Sequence, residues 1–497
     1  MLQEKDDAEK VVVGNTLQKG KRRGARGMFR SRYNVEAAGA DGEHLLLNSA
    51  NGAFAVLDAE GYDRYRACAN QPDSVRGAGQ QDGARDASGD ETDDASGANG
   101  SRIDSAQEAA GFLTALTPEE ELAAQQEIFR QGRRDHRTFT LTLAPTYACN
   151  YRCPYCYEQG HNAIKGVMNA DVRQAIYSFV AKAYTRHPFE KLLVQWYGGD
   201  PSLALDTVED ISRHLIDWCA RQGAAYEAMM LTNCNLIDEK AVDLLVRCRV
   251  SSVLITIDGP EEIHNRRRVA ADGSNSYERN IQAVRLFSAA GIAVHAIMNA
   301  DKVSWPHYRA TREKLLAELG LDLAAAKLND YGHFFGTREF RKPDFDLFTH
   351  EEFAHENHRV FAESGFDSMR LREMFRPVCR FCRGQLDDYY VIDTVGDVYA
   401  CDGYMGVKGH VRFNILDDES EWELETVTFD ATADERCGSC ELLPICQGNC
   451  IWERRETGMP CHPLKYAGAD YLRDYRSCFG AAQGPFTLLA PPMEVAR

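Results

Sequence analysis

Between residues 139 and 345 short apolar runs alternate with longer stretches of helical period. Strand-like runs fall at Thr138 to Leu143, Leu192 to Tyr197, Ala228 to Thr232, Val253 to Ile257, Ala293 to Met298 and Ala325 to Leu328. Between the first two, Val172, Ala175, Ile176, Phe179, Val180 and Ala183 recur at three- and four-residue steps. That spacing makes one apolar stripe on a helix from Asn169 to His187, with Asn169 placed to cap its first turn. Six such units predict an α/β fold with a parallel sheet and crossover helices. Eight would be needed to close a full barrel, so a partial (βα)6 TIM-type barrel is expected, with ligands at the C-terminal ends of its strands.

The flanks read differently. Residues 1–70 carry a hairpin signal, Leu45 to Leu47 and Ala53 to Leu57 around Asn51-Gly52, followed by a short helix from Ala59. Residues 71–110 are rich in Gly, Ala, Ser and Asp and hold too little apolar surface to offset ordering, so a disordered acidic insertion is expected there. A helical linker over 111–138 leads into the barrel, and a helical connection over 346–376 leads out. Over 377–480 cysteines, glycines and short strands take over, as in a small domain held by metal rather than by a large core. Residues 481–497 read as a tail.

Composition narrows the function. The 57 Lys and Arg against 75 Asp and Glu give a net charge of -18, which argues against nucleic acid or anionic lipid as a partner. No apolar run is long enough to span a bilayer, and the first ten residues lack a signal-peptide core, so a cytoplasmic protein is expected. In a reducing compartment the 16 cysteines cannot be a disulfide framework, and their clustering points to metal.

Directly after the first predicted strand lies Cys149-x3-Cys153-x2-Cys156. Three thiolates on one loop can hold three corners of a cubane iron–sulfur cluster and leave the fourth iron open to an external ligand. A three-cysteine zinc site completed by a distant His, or three unrelated thiols, is the competing reading. With the aromatic Tyr155 before the last cysteine, the motif resembles that of the radical S-adenosylmethionine (radical SAM) enzymes. That resemblance implies that S-adenosylmethionine binds the open iron and is cleaved on reduction to a 5′-deoxyadenosyl radical, which abstracts hydrogen from the substrate. Trp196-Tyr197-Gly198-Gly199-Asp200-Pro201 is similar to the family's Gly-Gly-Glu-Pro, with Asp200 one methylene short of the usual Glu. Thr232-Asn233-Cys234 resembles its Thr-Asn-Gly. Ile257-Asp258-Gly259-Pro260 with His264 and Arg268 resembles the segment that places ribose and carboxylate. By resemblance, Tyr155, Gly198, Gly199, Asp200, Asn233, Asp258 and Arg268 would contact the cofactor.

The second array, Cys382-x13-Gly396-x4-Cys401, then Cys437-x2-Cys440-x5-Cys446-x3-Cys450, then Cys461, is more specific still. Structural zinc on Cys437, Cys440, Cys446 and Cys450 is one physical reading. With Cys379 the region holds eight ligands, enough for two closed four-iron clusters. The spacing resembles the SPASM domain of radical SAM enzymes that act on peptides and proteins. That implies three [4Fe-4S] clusters in all, with one auxiliary cluster on Cys379, Cys382, Cys401 and Cys450. The other would lie on Cys437, Cys440, Cys446 and Cys461, the last preferred over Cys478. The remaining cysteines, among them Cys219 and Cys248, are expected to be small buried hydrophobes. Asp402, beside Cys401, would be a catalytic base by analogy with sulfatase maturases, or else the cap of a turn.

Two subclasses compete. Sulfatase maturases make formylglycine and carry the three-cysteine motif near the chain start, whereas 148 residues precede it here. The peptide (RiPP) maturase branch, which modifies ribosomally made precursor peptides, uses an N-terminal domain that adds the leader as a strand to a sheet edge, a mode to which the hairpin at residues 45–57 is suited. Phrases such as LLLNSANGAFAVLD and LTLAPTYACNYRCPYCYE resemble that branch, with a precursor peptide and a flavodoxin- or ferredoxin-type electron donor as implied partners. A non-catalytic iron–sulfur carrier is the alternative from outside enzymology.

Overall fold

A computed structural model describes residues 28–68, 105–156, 158, 166–319, 331–334, 345–363, 368–422, 429–450, 452, 454 and 461–496. The expected strand at Ala325 to Leu328 and nearly all of the acidic insertion lie outside them.

The barrel region folds as its periodicity predicts. Strands Thr138–Leu143, Lys191–Trp196, Ala225–Leu231, Val250–Thr256, Ala293–Ala300 and Tyr331–Phe334 lie side by side in chain order, every neighbouring pair parallel. The helix Ala170–Arg186 starts where expected, with the Asn169 side chain accepting from Val172 N. Its Val172, Ile176 and Phe179 pack on Leu141, Leu143, Val194 and Trp196 in the main core. Successive strand residues point to opposite faces. The alternate positions, Thr140, Thr142, Gln195 and Met229, therefore face away from that helix layer.

The C-terminal third departs from the expected separate cysteine-rich unit. Strand Tyr389–Ile392 joins the main sheet parallel to Thr138–Leu143, and Asp397–Tyr399 and Phe413–Asn414 continue it antiparallel to nine strands. Four consecutive buried residues at 389–392 are what a strand covered on both faces requires.

Residues 481–496 are not a free tail. Their strand Phe486–Ala490 pairs antiparallel with Ala53–Leu57, making a four-stranded sheet with His44–Asn48 and Asn34–Ala38. Both hairpin strands are thus covered at their edges, which blocks the leader docking expected on the hairpin itself. Among the described residues the edge strands of this sheet are Asn34–Ala38 and Phe486–Ala490. Between this sheet and the barrel runs Pro118–Arg133, opened by a Thr117–Glu120 capping box with Pro118 in its first turn. Among the described residues no helix is long and apolar enough to cross a membrane.

Candidate active site

The three-cysteine loop leaves the C-terminal end of the first barrel strand and is pinned on two sides. Tyr151 bridges Ala270, Arg152 N donates to Val269 O at 2.7 Å, and Ala271 N donates to Asn150 O at 2.8 Å. On the other side Asn233 Nδ2 donates to Asn150 Oδ1 at 2.7 Å and reaches Cys149 Sγ at 3.6 Å. Burial pushes the Cys149 thiol up to about 11 and Cys156 to about 12, and Cys149 and Cys153 both contribute to the rise at Cys156. The three thiols therefore share one desolvated neighbourhood. Ionising them there calls for a positive partner, which is what a bound iron cluster supplies. The donor set fits a three-thiolate cluster site.

Glycine is needed at the end of the second strand. A Cβ on Gly199 would lie 2.3 Å from Ala148 O and 2.4 Å from Tyr147 O, and Gly198 has φ +106°. These glycines let the loop backbone pass against the cysteine loop. Asp200 follows, buried, and its oxygens are already engaged. They accept from Ser202 N at 2.8 Å, Asn233 N at 2.7 Å and the Thr232 hydroxyl at 3.1 and 3.2 Å. One methylene shorter than Glu, Asp200 clamps the loops of the second and third strands together.

Tyr155 lies at the centre of a buried network. Its hydroxyl donates to Asp258 Oδ2 at 2.6 Å and accepts from Arg268 Nη1 at 2.8 Å and Asn299 Nδ2 at 3.2 Å. Asp258 Oδ1 accepts from Asn299 N at 2.9 Å, while Arg267 pairs with Asp301 at 2.8 Å. Asn299, Arg267 and Asp301 escaped the sequence reading. A polar residue near the end of the fifth strand, after the six mostly apolar residues Ala293 to Met298, was the available signal.

The second array falls into groups. Cys382, Cys401 and Cys450 lie within electrostatic reach of one another, and burial raises the first two, Cys382 to about 12. Cys401 Sγ is 3.5 Å from Asp402 Oδ1. Cys437, Cys440 and Cys446 form the second group. Cys461 joins it through Arg436, which donates to its Sγ at 3.2 Å and also feels Cys437. Cys379 is buried against Gly132 and accepts from Arg380 Nη1 at 3.4 Å. Among the described residues no three His, Cys, Asp or Glu side chains meet around a single-ion position. Of the remaining cysteines, Cys219, Cys234 and Cys248 are buried, whereas Cys68 is half-buried and Cys478 exposed. Cys478 ends its helix on the solvent side, so small apolar size did not decide its place.

A three-thiol loop above a sequentially ordered parallel sheet, hemmed by Gly198-Gly199, Asn233 and the Tyr155 network, defines a radical SAM domain. The family model described as the Radical SAM superfamily matches residues 143–315, so the chain carries a radical SAM domain. It is 24% identical over 364 residues to a cysteine-type anaerobic sulfatase-maturating enzyme of Clostridium perfringens, covering 68% of this chain and 95% of that enzyme. It is 22% identical over 345 residues to the mycofactocin maturase MftC of Mycobacterium tuberculosis, covering 64% of this chain and 80% of the relative. The solved structure of native anSMEcpe with bound AdoMet and Cp18Cys peptide superposes with a TM-score of 0.55 at 18% identity. That alignment covers 68% of this chain and 99% of the other, and the two share the fold.

Proposed function

We propose that this enzyme modifies a ribosomally made precursor peptide, installing a thioether or another crosslink after hydrogen abstraction. The observation that carries the reading is the convergence of the two cysteine regions. The three-cysteine loop leaves the first strand at Leu143, and Cys401, next to Asp402, packs in one apolar cluster with Ala144 and Tyr147 of that exit and with Tyr389 and Val391 of the adjoining strand. A four-iron cluster carrying S-adenosylmethionine supplies, when reduced, a 5′-deoxyadenosyl radical. The protein's own part is to orient and shield. Cys149, Cys153 and Cys156 hold the cluster, Asn233 and the Tyr155–Arg268–Asp258 network fix the loop, and Asp402 takes a proton from the substrate. Cys382, Cys401 and Cys450, and the group of Cys437, Cys440, Cys446 and Cys461, hold the auxiliary clusters, with a low-potential flavodoxin- or ferredoxin-type donor as the source of electrons.

The two named relatives mature different products, and one favours a second reading. The sulfatase-maturating enzyme matches 95% of its own length here, which supports formylglycine formation on a Cys or Ser. The precursor reading accounts in addition for the N-terminal sheet, whose Asn34–Ala38 edge suits strand addition by a leader. The test incubates reduced, anaerobically reconstituted protein with S-adenosylmethionine and two substrates, the peptide encoded beside the gene and a sulfatase-derived peptide. A crosslinked, hydrogen-depleted product from the first supports the proposal. Formylglycine from the second, with the first untouched, replaces it by the alternative.

A further inference from the structure

Arg383 is a cation that the cysteine motifs do not account for. It follows Cys382 at the start of a short turn, yet its side chain crosses to the barrel. Nη1 donates to Gln195 Oε1 at 3.0 Å on the second strand and lies 3.5 Å from Met229 Sδ on the third. Gln195 and Met229 are register partners, and Thr142 is the partner of Gln195 on the first strand. Arg383 therefore spans a row of residues on the sheet face opposite the helix layer. The Tyr389 hydroxyl, 3.0 Å from Thr142 Oγ1, continues that row into the cysteine-rich region.

The charge pattern around it is unusual. Asp402 and Arg383 both act on Tyr389, from opposite signs, but no ion pair joins them among the described residues. Both described hydrogen bonds of the guanidinium fall on Nη1 and go to neutral atoms, which leaves Nε and Nη2 as a side-on fork; the Glu227 carboxylate lies within electrostatic reach, and the residue is exposed. Such a fork matches the two oxygens of a carboxylate. Gln195 fixes its orientation in advance, which lowers the entropy lost when an anion arrives.

We infer that Arg383 is a specificity-determining residue that takes an acidic side chain, or the C-terminal carboxylate, of the peptide substrate. The inference rests on the proposed peptide-modifying reading and deepens it. The acid is held on the face shared with Asp402, so the residue carrying it, or its neighbour, is the one presented to the base.

The experiment measures anisotropy of labelled short peptides bound anaerobically to the full-length reconstituted protein. The peptides come as pairs that differ only by Asp against Asn, or Glu against Gln, at one position or by a free against an amidated C-terminus. The acidic member should bind more tightly by about tenfold or more, the range expected of a charge-assisted bidentate bond. Arg383→Gln should bring the ratio to about one, and Arg383→Lys should keep part of it because the point charge survives without the fork. Gln195→Ala, which leaves the charge but frees its orientation, should lower the ratio and serves if Arg383→Gln fails to fold. No acid preference in the wild type, or a full ratio retained in Arg383→Gln or in Gln195→Ala, overturns the assignment. Release of 5′-deoxyadenosine by the wild type in the same preparation reports on the radical reading separately, so the two cannot fail unnoticed together.

Discussion

At the scale of single residues, the site depends on a few buried polar atoms whose partners are all inside the protein. Tyr155 is the clearest case, because removing its hydroxyl leaves Arg268 and Asp258 desolvated without their shared partner. Tyr155→Phe is expected to cost about 1–3 kcal/mol, read as a lower denaturation midpoint of the reconstituted protein. An unchanged midpoint would remove Tyr155 from the network. Gly199 tests sterics instead. A methyl group there meets two carbonyl oxygens below 2.5 Å, and relieving such overpacking costs about 1–3 kcal/mol or more. Gly199→Ala should therefore displace the cysteine loop, seen as loss of about four irons, whereas full iron content would show that the loops can part without harm.

At the scale of elements, periodicity was a reliable guide where one face of a strand or helix is buried. The Asn169 cap and the alternation of the first five barrel strands follow from it directly. It fails where burial comes from distant chain. Tyr389–Ile392 looks like one short apolar run among cysteines, and only the open edge of Thr138–Leu143 makes it part of the sheet. Phe486–Ala490 is similar, for its partner lies more than four hundred residues earlier. The partners of Arg383 and Asn299 were illegible for the same reason, because they are set by contacts across strands rather than by local spacing. Deleting residues 486–496 should uncover the edge of Ala53–Leu57. Hydrogen exchange at residues 53–57 is then expected to accelerate, and unchanged protection would mean that the C-terminal strand is dispensable.

At the scale of the whole molecule, metal and fold are coupled unevenly. The barrel has an extensive apolar core of its own, whereas residues 435–450 form short turns around thiols that Arg436 and Arg454 contact. Replacing Cys149, Cys153 and Cys156 together by Ala should leave a soluble protein that retains about eight irons in two auxiliary clusters. Replacing Cys440 should lower solubility, because binding and folding are one process there. A soluble Cys440→Ala protein with unaltered iron would contradict that division.

The most direct measurement is release of 5′-deoxyadenosine from S-adenosylmethionine by the reduced, anaerobically reconstituted protein, with the Cys149, Cys153 and Cys156 triple variant alongside. Release by the wild type and none by the variant is the predicted result. No release by a wild type loaded with its clusters, or equal release by both, would contradict the assignment of the three-thiol loop as the reactive centre.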